Sequence, residues 1–264
     1  MTPEIPTVAC MKWGTLYGPE YVNRLHAGVT RHLARPFRFV CFTDDAQGLD
    51  PAIEARPLPD TGAGATRDSR WRKLALLRDD LPDWRGTVLF LDLDVVIVDD
   101  LAPFLDTPGA FCAIRDADLF RPRPLRRRFR PARDAFYARV ANTSVFRFEA
   151  GAHADALARY VNDHDAVIAG YRNEQEFLSD HLHARSQLQV WPAAWCTSFK
   201  NGCVPRGLAS FHQNPQCPAG TRIVVFAGRP KMGDVLAGRG GRWYRRIGPA
   251  PWLVAAWTAG DDHA

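Results

Sequence analysis

The run Thr87 to Asp100, TVLFLDLDVVIVDD, sets two acids, Asp92 and Asp94, inside an apolar, β-branched stretch. Val88, Leu89, Phe90 and Leu91 read as a buried strand, where an unpaired carboxylate costs several kcal/mol or gives up its charge. A bound cation removes that cost. Residues i and i+2 of a strand face the same side, so Asp92 and Asp94 are expected to point together while Leu93 points into the core. Two hard oxygen ligands suit Mg²⁺ or Mn²⁺, and such an ion can hold the phosphates of a substrate. The competing reading makes the acids caps of the turn that follows a strand end.

An Asp-x-Asp triplet is a weak signal alone, since roughly one arises by chance in a chain of this length. This chain has three. Asp163 and Asp165 follow a helical pattern and read as a solvated cap. Asp116 and Asp118 follow the apolar run Ala110 to Ile114 and compete directly. Asp92 and Asp94 are preferred because their strand is longer and continues past the acids as Val95 to Val98, which embeds the pair in the fold.

Strand and helix alternate along the first hundred residues. Thr7 to Met11 reads as a first strand, and Pro19 opens a helix over about Glu20 to Leu33 with Val22, Leu25, Val29 and Leu33 inward. Phe37 to Phe42 is a second strand, a short one lies near Ile53, and Ser69 to Arg78 reads as a helix burying Trp71, Leu74 and Leu77. That order predicts an α/β fold with a mostly parallel sheet, whose ligands gather at the C-terminal strand ends beside Trp13, Asp44 and Asp92. Beyond Asp100, Ala110 to Ile114, Asn142 to Phe148 and Ile223 to Phe226 read as strands. His153 to Asn162 and Glu174 to Leu182 read as helices. The tail from Arg239, rich in Gly, Pro and Trp, carries no assignable element.

At 264 residues the chain is expected to form a single domain, with one half over about 1–100, a second over about 101–238, and a tail over 239–264. No run approaches transmembrane length and the N-terminus lacks the pattern of a signal peptide, so the expected location is the cytosol. Six scattered cysteines without a Cys-x-x-Cys pair read as buried thiols. The net charge of +5 is local: Arg121 to Arg133 holds seven arginines and no acid, and the rest of the chain carries 27 basic against 29 acidic residues. Three prolines make this segment a loop that could meet a phosphorylated acceptor or the anionic inner face of a membrane, or remain solvated. Nucleic acid is not an expected partner, because only Phe129 supplies an aromatic there.

The motifs in order are KWGTLYGPEYVNRLHAGV, FVCFTDD, WRKLALLR, FLDLDVV, NTSVFRF and NEQEFLSDHL. Together they resemble bacterial glycosyltransferases of the GT-A fold related to glycosyltransferase family 8, over roughly Val8 to Lys231. The resemblance implies a Rossmann-like single domain that takes a nucleotide-sugar donor, a UDP-sugar first, and a glycan or lipid-linked acceptor. It implies that Asp92 and Asp94 bind Mn²⁺ or Mg²⁺ bridging a nucleotide diphosphate. Trp13, Gly14, Tyr17 and Asp44 would contact base and ribose, and Lys73 and Lys231 the phosphates. Asn142 and Ser144 would line the sugar pocket, with Glu174 and Gln175 at the reacting carbon.

In one respect the chain departs from that pattern. Where relatives carry a metal-binding histidine before the glycine of the C-terminal motif, IVVFAGRPK has Ala227. His212 is a candidate substitute, and the loss also admits a binding protein without activity. A different enzyme competes as well: DLDVVI fits the nucleophile motif of haloacid-dehalogenase-type phosphatases, with Asp92 attacking phosphorus. Against that reading, the phosphatase motif belongs on a first strand, and here about ninety residues of strand and helix precede it.

Overall fold

The computed structural model describes residues 5–63, 69–119, 135–241, 243 and 245–259. Arg121 to Arg133 and the final five residues lie outside them. The first half follows the expected alternation: β1 (Thr7–Lys12), α1 (Pro19–His32), β2 (Arg38–Thr43), β3 (Glu54–Pro57), a 3-10 helix (Ser69–Leu77) and β4 (Thr87–Leu91). Next come β5 (Val95–Ile97), α2 (Ala102–Asp106), β6 (Phe111–Arg115), α3 (Asp116–Leu119) and β7 (Ala141–Glu149). The helices α4 (Ala154–Asn162), α5 (His164–Gly170) and α6 (Glu174–Ala184) precede β8 (Leu188–Val190), β9 (Cys196–Ser198) and β10 (Ile223–Val225). The helices α7 (Met232–Leu236) and α8 (Pro251–Thr258) close the described chain.

Seven strands form one sheet in the order β3-β2-β1-β4-β7-β6-β8. Only β7 runs against the others, pairing antiparallel with both β4 and β6. The C-terminal ends of β1, β2, β4 and β6 and the start of β7 therefore share one edge, which carries Trp13, Asp44, Asp92, Asp116 and Asn142. Side chains alternate across the sheet as strand geometry requires. Val8 and Cys10 enter a core beneath α1, and Ala9 and Met11 enter a second core beneath the 3-10 helix, α4 and α6.

Three sequence expectations need correction. The apolar run around Asp92 is not one strand: β4 ends at Leu91, and Val95–Ile97 joins a separate three-stranded sheet in the order β5-β10-β9. Val95 and Ile97 face the α1 core while Val96 faces α8, so both sides of β5 are buried and the sequence stays apolar across the break. Ser69–Leu77 is a 3-10 helix; at three residues per turn, Trp71, Leu74 and Leu77 fall in line on the core. The tail, unassigned from sequence, holds α8, whose Leu253 and Trp257 are buried and whose Trp257 ring sits 5.0 Å from Tyr21 of α1.

The six cysteines are free, and all but Cys217 are buried, as expected. Among the described residues no helix is long and apolar enough to cross a membrane.

The sheet centre is held by aromatics. Phe146 of β7 stacks on Phe90 of β4 at 4.8 Å and on Phe111 of β6 at 5.3 Å, and it is 1% exposed. Phe146→Ala should cost about 3–5 kcal/mol, the usual range for emptying a buried phenylalanine site. Urea unfolding would show this as a lower midpoint with an unchanged slope, and a loss below about 1 kcal/mol would contradict the packing described.

Candidate functional site

The site is built on the turn from β4 to β5. Leu93 is buried in the α1 core, which leaves Asp92 and Asp94 to emerge together at the sheet edge. Each meets a lysine. Lys73 Nζ, carried by the 3-10 helix, lies 2.8 Å from the Asp92 carboxylate, and Lys231 Nζ, at the N-cap of α7, lies 2.7 Å from Asp94. The side chains of Asp92 and Asp94 are 25% and 15% exposed, so these pairs are far less screened than surface ion pairs.

Backbone geometry supports the cluster. The pairing of β6 with β7 shifts register between Ala113 and Ile114, a bulge that frees residues 143–145 of β7 from β6. There the Thr143 carbonyl accepts from Lys73 Nζ at 2.8 Å, and the Ser144 carbonyl accepts from the Asp92 amide at 2.8 Å. Thr143 Oγ1 donates to Glu174 at 2.7 Å, which fixes the first turn of α6 against the bulge. Asn173 caps that helix by accepting from the Glu176 amide.

Burial pushes the Asp92 carboxyl up to about 6; Lys73 opposes this, while Asp94 and Glu174 add to it. Burial alone would lower Lys73, but the neighbouring acids Asp92, Glu174 and Asp94 outweigh it and raise its value. Lys231 is raised in the same way, burial being outweighed by Asp94. Three acids therefore share two ammonium groups. Tyr17 donates to Asp94 at 3.2 Å, and burial together with that carboxylate pushes its phenol up to about 12.

The residues expected to serve base and ribose divide into two groups. Trp13, Gly14 and Asp44 lie together past β1 and β2: the Gly14 amide donates to Asp44 at 2.9 Å, and Gly14 takes φ +61°, a conformation glycine adopts without strain. Tyr17 instead belongs with Asp94 and Lys231, whose ammonium lies 5.4 Å from its ring centroid. Asn142 and Ser144 are buried at the start of β7, and the Asn142 side chain accepts from the Ser144 amide. Glu174 and Gln175 occupy the first turn of α6 beside them.

Two participants lie beyond the sequence assignment. Thr143 was hidden because its contribution includes a main-chain carbonyl exposed by a bulge. Asp116 belongs to a rival Asp-x-Asp triplet, but it does not act with Asp118, which pairs with Arg115 at 3.1 Å. Asp116 accepts from Asn142 Nδ2 at 2.9 Å, and burial raises its carboxyl despite that bond and the nearby Gln175 amide. Asp163 follows α4 and occupies the N-cap position of α5 without a side-chain capping bond, and Asp165 sits in the first turn of α5.

Ala227 directly follows Phe226, whose amide donates to the Asp94 carbonyl at 2.9 Å, and it packs against the α1 core. His212 is exposed on the cap of another 3-10 turn. Among the described residues no three of His, Cys, Asp and Glu form a group that could hold a metal, so His212 does not complete the pair.

No family model matches the chain, and no curated protein matches it in sequence. Solved structures do. WbbM, a bifunctional glycosyltransferase in its apo form, superposes with a TM-score of 0.59 at 14% identity, covering 87% of this chain and 47% of its own. The chain thus spans about half the length of that protein. The galactosyltransferase LgtC, in complex with donor and acceptor sugar analogues, gives 0.55 at 13% identity over 85% of this chain and 88% of its own. The glycosyltransferase GlyE of Streptococcus pneumoniae TIGR4 gives 0.55 at 13% identity over 98% and 63%. At such identities the likeness shows the fold, which is that of the GT-A glycosyltransferases.

The cluster's charge balance predicts a pH-dependent cost for removing one cation. In Lys73→Met, the Asp92 carboxyl rises further above its unfolded value. A raised acid favours folding while protonated, and that contribution is lost as pH climbs through its folded value. The variant should therefore lose about 1–3 kcal/mol at pH 8 and distinctly less at pH 5, where protonated Asp92 needs no cation. Urea unfolding at both values measures this, and an equal loss at the two would contradict the pairing.

Proposed function

We propose that the chain transfers a sugar from a nucleotide-diphosphate sugar to an acceptor hydroxyl, with Mn²⁺ or Mg²⁺ bound at Asp92 and Asp94. The observation that carries this is the meeting of two carboxylates and two lysines at the C-terminal edge of a GT-A sheet. The donor set fits a hard divalent cation: two carboxylates emerge from one turn, and with Glu174 nearby the acids outnumber Lys73 and Lys231. Such an ion supplies charge neutralisation for the departing diphosphate.

Lys73 and Lys231 would stabilise the negative charge that develops on the leaving group, in surroundings that screen little. Trp13, Gly14 and Asp44 would hold the nucleoside, with Tyr17 at the diphosphate end. Asn142 and Ser144 would orient the donor sugar, and Asp116, bonded to Asn142, extends that polar surface. Glu174 and Gln175 would stand at the anomeric carbon. A configuration-retaining transfer suits Gln175 as the support of that centre, with the leaving phosphate taking the acceptor's proton; an inverting one needs Glu174 as base.

The proposed donor is a UDP-sugar. The proposed acceptor is a glycan or lipid-linked glycan, as in cell-surface polysaccharide or glycolipid synthesis, with Arg121 to Arg133 as the segment that would meet an anionic inner membrane face. The phosphatase reading is disfavoured by the order of elements, because β1 ends at Lys12, with Trp13 after it, and the acid pair follows β4.

Asp92→Ala and Asp94→Ala should each abolish Mn²⁺-dependent binding of UDP, a loss of 100-fold or more, while the circular dichroism spectrum stays native. Titration calorimetry with and without Mn²⁺ measures this. Unchanged affinity in both variants sinks the assignment.

A further inference from the structure

Arg72 is a cation at this edge that the account above leaves unused. Its neighbours in the 3-10 helix are anchored: Trp71 stacks on Tyr160 with ring centroids 5.2 Å apart, and Leu74 is fully buried. The Arg72 side chain instead runs to Trp13, with its guanidinium carbon 5.8 Å from that ring's centroid. Its Nε is buried and makes no hydrogen bond, and among the described residues no carboxylate pairs with the guanidinium. Lys73 and Lys231 differ, each being matched to an aspartate.

A buried N–H without an acceptor is a standing cost that a ligand oxygen can remove. Guanidinium offers donors in a planar fork and no acceptor, a match for phosphate oxygens. Position narrows the choice of phosphate. On one side Arg72 touches Trp13, whose neighbour Gly14 is bonded to Asp44; on the other it adjoins Lys73, which holds Asp92. It thus lies between the groups assigned to the nucleoside and those assigned to the diphosphate.

We propose that Arg72 binds the phosphate attached to the ribose of the donor nucleotide, with its guanidinium plane steadied by Trp13. The inference rests on the donor reading given above.

The test uses UDP, dTDP, GDP, ADP and CDP with Mn²⁺ to find the diphosphate the wild type binds best. Affinity for that diphosphate, the matching monophosphate and the matching nucleoside is then measured for wild type, Arg72→Ala and Arg72→Lys, by calorimetry and, for weak binders, ligand-observed NMR. Arg72→Ala should weaken the diphosphate and monophosphate at least tenfold and the nucleoside less than twofold. Arg72→Lys, which keeps the charge without the fork, should lose less and serves if the alanine variant does not fold. Unchanged diphosphate affinity overturns the inference. So does an equal loss for nucleoside and nucleotide, which would assign Arg72 to the base or ribose. A wild type that binds none of the five diphosphates removes the donor reading itself, whereas tight wild-type binding unaffected at Arg72 removes this inference alone.

Discussion

Everything at the sheet edge depends on the turn that carries Asp92 and Asp94 out of the core. Two carboxylates this poorly hydrated are tolerated because Lys73 and Lys231 meet them at 2.8 and 2.7 Å, and each lysine comes from a distant part of the chain. The 3-10 helix before β4 and the N-cap of α7 are thereby tied to one turn. Coulomb attraction is several times stronger in such surroundings than in water, but desolvation takes back much of the gain. The remainder leaves Asp92 still raised. A divalent cation held by the two carboxylates would offset their charge and could carry an anionic diphosphate with it.

The fold supplies the positions. Because β7 runs against its neighbours, its first residues lie beside the last residues of β4 and β6, and the bulge at 143–145 turns carbonyls toward Lys73 and the Asp92 amide. Splitting the apolar run between two sheets serves the same end. Had β4 continued unbroken, alternation would have left the acids on a buried face; the turn between Leu91 and Val95 brings them to the surface while Leu93 keeps its place in the core. The small sheet then returns β10 next to Asp94, and α8 seals its outer face through Leu253 and Trp257.

Much of this was legible in the sequence, for physical reasons. The strands β1, β2 and β4 declare themselves through short apolar runs, α1 through its stripe and Pro19, and the acid pair through its unlikely surroundings. What was hidden is equally specific. The break before β5 leaves no mark because both strands are buried on both faces. The bulge in β7 depends on pairing with β6, and α8 is apolar on nearly every side, so periodicity gives no signal. Charge partners were hidden too: Lys73 and Lys231 could be picked out as basic residues, but nothing in their spacing says which aspartate each would meet. Asp116 looked like half of a rival motif, but it pairs with Asn142 and not with Asp118 in any shared role.

The central claim is that this cluster releases a nucleoside diphosphate from a nucleotide sugar. The most direct measurement is diphosphate release by the wild-type chain from a panel of nucleotide sugars in Mn²⁺, followed with and without a chelator and beside a simple phosphate ester. The account predicts release from one donor, arrested by chelation, and no hydrolysis of the ester. Ester hydrolysis without release from any donor would contradict it.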